Sequence, residues 1–284
     1  TFHRNPGHQR NLLGNLRTVV FAPEDLALVK ADPSDRRRFL DDLLVQRSPR
    51  LAATRSDYDR IIKQRNALLK SAGAARRTDA DQVERTLAVW DEQLATTGGE
   101  LAAARIGLVR QLRPHVAAAY EHLAGGSEAV SETKVDIAYA PAVGQDIAED
   151  ADRAVWAREL RAAAVQRRRE ELDRGVTLIG PHRDELALRL SDMAFKGYAS
   201  HGESWSMALA LRLAAFEVLR SDDDEPVLIL DDVFAELDVT RRARLAQRVA
   251  GCEQVLITAA VVDDVPDALI GHLKRVDRGT VTDA

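Results

Sequence analysis

The apolar positions of this chain change period twice, and each change marks a different kind of element. The opening forty-odd residues carry one short β-branched and aromatic run, Thr18-Val19-Val20-Phe21, stopped by Pro23, which predicts a strand. Asp32-Pro33-Ser34-Asp35 then supplies helix-start chemistry ahead of Arg36, Arg37 and Arg38. From Leu51 to Leu123 the spacing becomes helical. Tyr58, Ile61, Ile62, Arg65, Leu68 and Leu69 form one stripe. After a polar break from Gly73 to Asp81, the pattern resumes at Val83, Leu87, Trp90 and Leu94, and again at Leu101, Leu108, Leu112 and Val116. This predicts an antiparallel helical hairpin, with kinks or breaks at Gly98-Gly99 and at Pro114. Gly125 to Asp152 is polar with scattered Gly and Pro and predicts a mobile loop; Ala154 to Asp173 predicts a basic amphipathic helix.

After Gly175 the period shortens. Val176-Thr177-Leu178-Ile179 predicts a short strand closed by Gly180-Pro181, and Leu186, Leu188 and Leu190 alternate as in a half-exposed strand. A long amphipathic helix follows through Met207, Leu211, Ala214, Ala215 and Val218. Val227-Leu228-Ile229-Leu230 is apolar throughout, as a central parallel strand buried on both faces would be. With a helix over Thr240 to Val249 and a second apolar run, Val255-Leu256-Ile257-Thr258, it reads as a βαβ unit. No internal repeat is present.

Composition narrows the class. The chain has 284 residues, 45% hydrophobic, 30% charged and 5% aromatic, enough for one sizeable core or two lobes rich in helix. The single cysteine, Cys252, leaves no internal disulfide framework and fits a reducing, cytoplasmic compartment. No apolar run approaches the roughly 18 to 20 residues of a membrane span, and Thr1 to Arg10 has no signal-peptide core. The net charge of −5 gives no global support for nucleic-acid binding. Residues 44–174 are nearly neutral and 175–284 carry the acidity, so a DNA surface must be a local basic patch. Candidates are Arg36, Arg37 and Arg38; Arg60, Lys63 and Arg65; and Arg167, Arg168 and Arg169. For each cluster alone, a solvated helix face paired with nearby acids is the better expectation.

Three segments carry chemistry. Asp231 and Asp232 end an apolar parallel strand, the place where such sheets bind ligands. There Asp231 would hold Mg²⁺ through water, and Asp232 would orient or deprotonate an attacking water. A strand end simply meeting solvent is an even alternative. Ser200-His201-Gly202-Glu203-Ser204 opens a long helix, with a glycine for close backbone approach and two hydroxyls beside the positive helix end. An ordinary helix cap is the plainer account of it. Ala235-Glu236-Leu237-Asp238 alone is a turn and a cap before Thr240.

The order of these segments is specific. A Ser-x-Gly-Glu helix start, an apolar strand ending in two acids and a Glu-Leu-Asp turn resemble the signature motif, Walker B strand and D-loop of an ABC-type ATPase. Gly180-Pro181-His182-Arg183-Asp184-Glu185-Leu186, Lys196 to Glu203 and Leu230 to Asp238 resemble the RecF family. Phe21 to Leu26, Arg36 to Asp41 and Lys63-Gln64-Arg65-Asn66 do so as well, so the likeness runs from about Leu13 to the C-terminus.

The resemblance implies an α/β fold: an ABC-type P-loop ATPase lobe over residues 1–43 and 175–284, with an inserted α-helical lobe over 44–174. It implies ATP and Mg²⁺ as cofactors, and an ATP-dependent homodimer that closes on gapped DNA at single-stranded/double-stranded junctions with RecO and RecR to load recombinase. Ser200, Gly202, Glu203 and Ser204 would act in trans on the partner's nucleotide, Asp231 and Asp232 in cis, and Glu236 and Asp238 at the dimer seam. The chain departs from the family in one respect: G-x-x-x-x-G-K-[ST] does not occur in it. That implies an incomplete ATPase lobe without the Walker A strand–loop–helix, and Thr1 to Gly7 read as a sequence foreign to the family. Thr258-Ala259-Ala260 stands where many ABC proteins have a switch histidine. Two other readings stay open, a degenerate remnant and an ATPase subunit of another ABC or SMC-like system. A transporter subunit is disfavoured because Ser-His-Gly-Glu-Ser replaces Leu-Ser-Gly-Gly-Gln. The sequence assigns no role to His182 or Arg183.

Overall fold

The computed structural model describes residues 16–74, 80–125, 134–220 and 225–283. The expectations for Thr1 to Gly7, for much of the polar break between the hairpin helices and for 126–133 lie outside them. In chain order the elements are β1 (Thr18–Phe21), a 3-10 turn (Pro23–Leu26), α1 (Ala27–Lys30), α2 (Pro33–Arg47), α3 (Leu51–Ala74), α4 (Ala80–Ala124) and β2 (Val135–Ala140). There follow α5 (Arg153–Arg174), β3 (Glu185–Leu190), β4 (Met193–Ala194), α6 (His201–Arg220), β5 (Val227–Asp231), α7 (Val239–Val249), β6 (Val255–Thr258), β7 (Lys274–Asp277) and β8 (Thr280–Asp283).

β1, β5 and β6 form a parallel sheet in the order β1-β5-β6, with Phe21 level with Leu230 and Asp231 level with Thr258. Pro226 precedes β5, and its Leu228 and Leu230 are fully buried while Val227 and Ile229 are half-buried. One face is thus core and the other only partly covered. Because all three strands run the same way, everything after their last residues projects at one edge. α6 is buried on almost every side, packed along α4 and against β1, which suits its dense run of Leu, Ala and Phe.

The helical part departs from expectation at α4. It runs unbroken from Ala80 to Ala124, through Gly98-Gly99 and with Pro114 inside. The proline removes one backbone hydrogen bond, but Leu108, Val109, Leu112, Val116, Ala119 and Tyr120 are buried around it and hold the helix together. The glycines serve close packing instead of a break. A Cβ on Gly99 would lie 2.8 Å from both the Ala157 nitrogen and the Arg153 carbonyl of α5, and one on Gly98 3.0 Å from the Tyr58 ring of α3.

Two further expectations are corrected. Val135–Ala140, inside the stretch read as a mobile loop, is a strand paired antiparallel with β3, with Val135, Ile137 and Tyr139 inward. Small alanines at the alternate positions blurred its period. Conversely, Val176 to Ile179 form no strand. Their backbone groups bond to side chains: the Thr177 amide donates to Asn66 Oδ1 (2.7 Å) and the Leu178 amide to Glu171 Oε1 (2.8 Å). Hydrogen-bonding capacity met in this way leaves nothing for a sheet. Among the described residues no helix is long and apolar enough to cross a membrane.

Candidate functional site

β5 delivers Asp231 and Asp232, both exposed, to the carboxyl edge of the parallel sheet. Asp232 takes a left-handed backbone (φ 52°), uncommon outside glycine though tolerated by Asp. Its amide donates to the Thr258 carbonyl (3.1 Å) and to Thr258 Oγ1 (3.2 Å), while the Thr258 hydroxyl donates to Asp231 Oδ1. Thr258 thus orients the Asp231 carboxylate and fixes the backbone of Asp232, a role the sequence did not assign it. Its register opposite Asp231 is a tertiary fact; the only sequence signal was a polar residue ending an apolar strand. Two carboxylates and a hydroxyl are hard oxygen donors, suited to magnesium, which takes one or two carboxylates and keeps its waters. The 3-10 turn after β1 brings exposed Glu24 out at the same edge.

At the start of α6 the sequence builds a capping box. The Ser200 amide donates to Glu203 Oε2 (2.7 Å) and the Glu203 amide to Ser200 Oγ (3.2 Å), satisfying two donors at the helix end. Ser204 corrects an expectation. It is buried, and its hydroxyl donates back to the Ser200 carbonyl (2.8 Å), so it is not offered to a ligand. Gly202 is half-buried beneath a side chain that sequence reasoning missed, Arg241. Arg241 Nε donates to Ser206 Oγ (3.2 Å) and its Nη1 to Asp238 Oδ2 (2.5 Å). Asp238 caps α7 by accepting the Arg241 amide (2.9 Å), and these contacts hold its carboxyl below the usual range. Glu236 is exposed in the 3-10 turn Phe234–Glu236.

The basic clusters separate. Arg36 is buried, donates to both carboxylate oxygens of Glu185 (2.7 and 2.8 Å) and to the Leu28 carbonyl, and cannot reach DNA. Arg65 is wholly buried, bonded to Asp91 (2.9 Å), Thr177 (3.0 Å) and Glu171 (2.6 Å). Arg168 shares Asp91, and half-buried Arg37 donates to the Asp184 carbonyl (2.8 Å). These four are structural in place of DNA-facing. Arg38, Arg60, Lys63, Arg167 and Arg169 are exposed, Arg60 and Arg167 beside Asp57 and Glu170. The signal for Arg65 was in the chain: it sits in the same 3–4 stripe as Tyr58, Ile61 and Leu69.

The Gly180 to Glu185 loop is gripped from several elements. Arg105 of α4 holds Asp41 through two bonds (2.8 and 2.9 Å) and donates to the Pro181 carbonyl (2.7 Å). Tyr139 donates to Asp184 Oδ2 (2.5 Å) and the Ala142 amide to Oδ1 (2.8 Å); burial nevertheless pushes the Asp184 carboxyl up. His182 contacts Tyr58 Oη through Nδ1 (2.9 Å) and the Thr177 carbonyl through Nε2 (3.2 Å). Since a carbonyl only accepts, Nε2 carries the proton and Tyr58 donates to Nδ1. Burial lowers the His182 pKa to about 4. Arg183 also donates to the Thr177 carbonyl (3.0 and 3.2 Å), so both residues serve the loop's own structure.

Comparison with known proteins completes the picture. No family model matches the chain. It is 56% identical over 274 residues to the DNA replication and repair protein RecF of Frankia alni, covering 96% of this chain and 71% of that protein. The RecF of Streptomyces avermitilis is 54% identical with the same coverage. That of Beutenbergia cavernae is 57% identical over 290 residues, covering 96% and 72%. Among solved structures, a recombination mediator RecF bound to ATP in the RecFOR pathway superposes with a TM-score of 0.80 at 25% identity, over 96% of this chain and 69% of that one. The same mediator with ATPrS gives 0.82 at 24% identity, over 97% and 70%, and shows the shared fold. The α/β architecture, the ordered motifs and these identities lead to one conclusion: the chain belongs to the RecF family of DNA replication and repair proteins.

Proposed function

We propose that this chain supplies the signature half and the acidic half of an ATP-driven RecF dimer that closes on gapped DNA and works with RecO and RecR to load recombinase. The observation that carries the reading is the pair Asp231 and Asp232, exposed together at the carboxyl edge of the parallel sheet and tied by Thr258. On this reading residues 1–43 and 175–284 make the ATPase lobe and 44–174 the helical lobe. Asp231 holds Mg²⁺ through water; the ion neutralises phosphate charge when bound. Asp232 accepts a proton from, or orients, the attacking water. The unusual backbone of Asp232 supports this, since strain of that kind gathers at working sites.

Ser200, Gly202 and Glu203 face a partner's nucleotide, with Glu236 and Asp238 at the seam. Phosphate contact in this form comes from the backbone of the α6 start, because the Ser204 hydroxyl is turned inward. DNA contact falls to the exposed cations Arg38, Lys63 and Arg169, together with Arg60 and Arg167 once these leave their acids. Such contact is sequence-independent and salt-sensitive.

The chain contains no G-x-x-x-x-G-K-[ST], so two copies of it alone lack the backbone cradle and lysine that grip the β- and γ-phosphates. Titrating the isolated chain with a fluorescent ATP analogue should show no binding at micromolar nucleotide. A saturable signal there would overturn this account of the site.

A further inference from the structure

We propose that Arg241 is a positioning residue that joins the Asp238 turn and the first turn of α6 into one unit. The inference rests on the proposed function above and names how its two halves are coupled. Arg241 lies in the first turn of α7, where a positive charge opposes the helix dipole. The dipole of α7 therefore does not account for its placement. What the side chain does instead is span. Nη1 holds Asp238 Oδ2 at 2.5 Å, and Nε reaches the hydroxyl of Ser206, a residue with no exposed surface on the second turn of α6. The two terminal nitrogens both lie 3.0 Å from where a Cβ on Gly202 would sit. The guanidinium thus occupies the space that a side chain at 202 would need, resting on the backbone of the α6 start.

Asp238 is held twice by the same residue, through its amide and its guanidinium. A push on Asp238 from a second subunit is therefore carried through a planar, rigid group to Ser206 and Gly202. A lysine cannot copy this, because one ammonium lacks the fork that reaches two separated acceptors. Partner contact at the Asp238 turn is in this way converted into placement of the α6 start on the nucleotide. In this arrangement Arg241 acts through Gly202, Ser206 and Asp238.

The test mixes this chain with the Frankia alni relative and reads the ATP turnover that the chain adds. With Arg241→Met, the added kcat should fall on the order of tenfold or more, as a small misplacement at a reacting centre does. KM for ATP and the melting temperature of the chain should stay as in the wild type. Arg241→Lys should recover only part of the loss. Ser206→Ala should lower kcat by itself and add little to Arg241→Met, since both break one bridge. An unchanged kcat with Arg241→Met, full rescue by lysine, or a kcat loss that follows the melting temperature each overturns the inference. If the wild-type chain adds no turnover at all, the proposed function fails first and takes the inference with it.

Discussion

Arg65 and Lys63 stand two positions apart on α3 and have opposite fates. Lys63 points into solvent, while Arg65 is the centre of a buried network with Asp91, Glu171 and Thr177. Removing Arg65 as Arg65→Met leaves the buried Glu171 carboxylate without its cation and Asp91 with Arg168 alone, a loss of about 3–5 kcal/mol. Chemical denaturation should show that loss, and a stability within error of the wild type would contradict it. Lys63→Glu should leave stability alone. The difference was legible in part, since Arg65 shares the apolar stripe of its helix, but which acids meet it depends on α4 and α5.

His182 gives a second prediction at this scale. Its folded pKa of about 4 lies below the 6.5 of an unperturbed histidine. Between those values the unfolded chain binds the proton more readily, so stability rises with pH across the window. The contribution is complete above about 6.5 and disappears as pH falls through the folded value. Asp184, whose carboxyl is pushed up by burial, acts the other way at the acid end: folding favours its protonated form as pH falls. In a urea series at several pH values, His182→Gln should flatten the slope between pH 6.5 and about 4. An identical slope would show that His182 is not the group responsible.

At the scale of elements, the glycines of α4 show why residue type alone misled. Gly99→Ala would set a Cβ 2.8 Å from two backbone atoms of α5, which cannot rotate away as a side chain can. Overpacking of that kind costs about 1–3 kcal/mol. Gly107, in the same helix, has nothing within 4 Å of its would-be Cβ. There alanine should stabilise by about 0.5–1 kcal/mol through helix propensity alone. Thermal unfolding of the two variants should move in opposite directions, and a shared sign would refute this view of the α4–α5 contact. From sequence both are glycines in a helical pattern. Only the crossing helix distinguishes them. The same holds for β2, whose alternating Val135, Ile137 and Tyr139 became a strand signal once β3 lay beside them.

For the whole molecule, the consequence lies at the edge of the parallel sheet. β6 closes the order β1-β5-β6, and among the described residues it pairs with β5 alone. Leu256 is 49% exposed there, and Val261, Val262, Ile270, Leu273, Val276 and Val281 are exposed beyond it. Open strand edges with apolar side chains invite pairing with another chain. Sedimentation of the isolated chain should therefore show self-association that rises with concentration and weakens with Leu256→Lys. A monomer at every concentration, or association indifferent to that lysine, would exclude the β6 edge.

By itself the sequence determined what short-range chemistry controls. The parallel βαβ unit follows from two apolar runs around an amphipathic helix, the α6 cap from Ser200 and Glu203 three residues apart, and the family from motifs in their order. Tertiary structure decided whatever depends on partners distant in the chain. It buried Arg36 and Arg65 while leaving Arg38 and Lys63 free, turned Val176 to Ile179 from strand into loop, and set Thr258 across from Asp231. It also laid Arg241 over Gly202. The physical reason is the same in each case. A charge, a glycine or a hydroxyl has several ways to be satisfied, and the chain's periodicity reports only that it must be, whereas the fold supplies the one neighbour that does it.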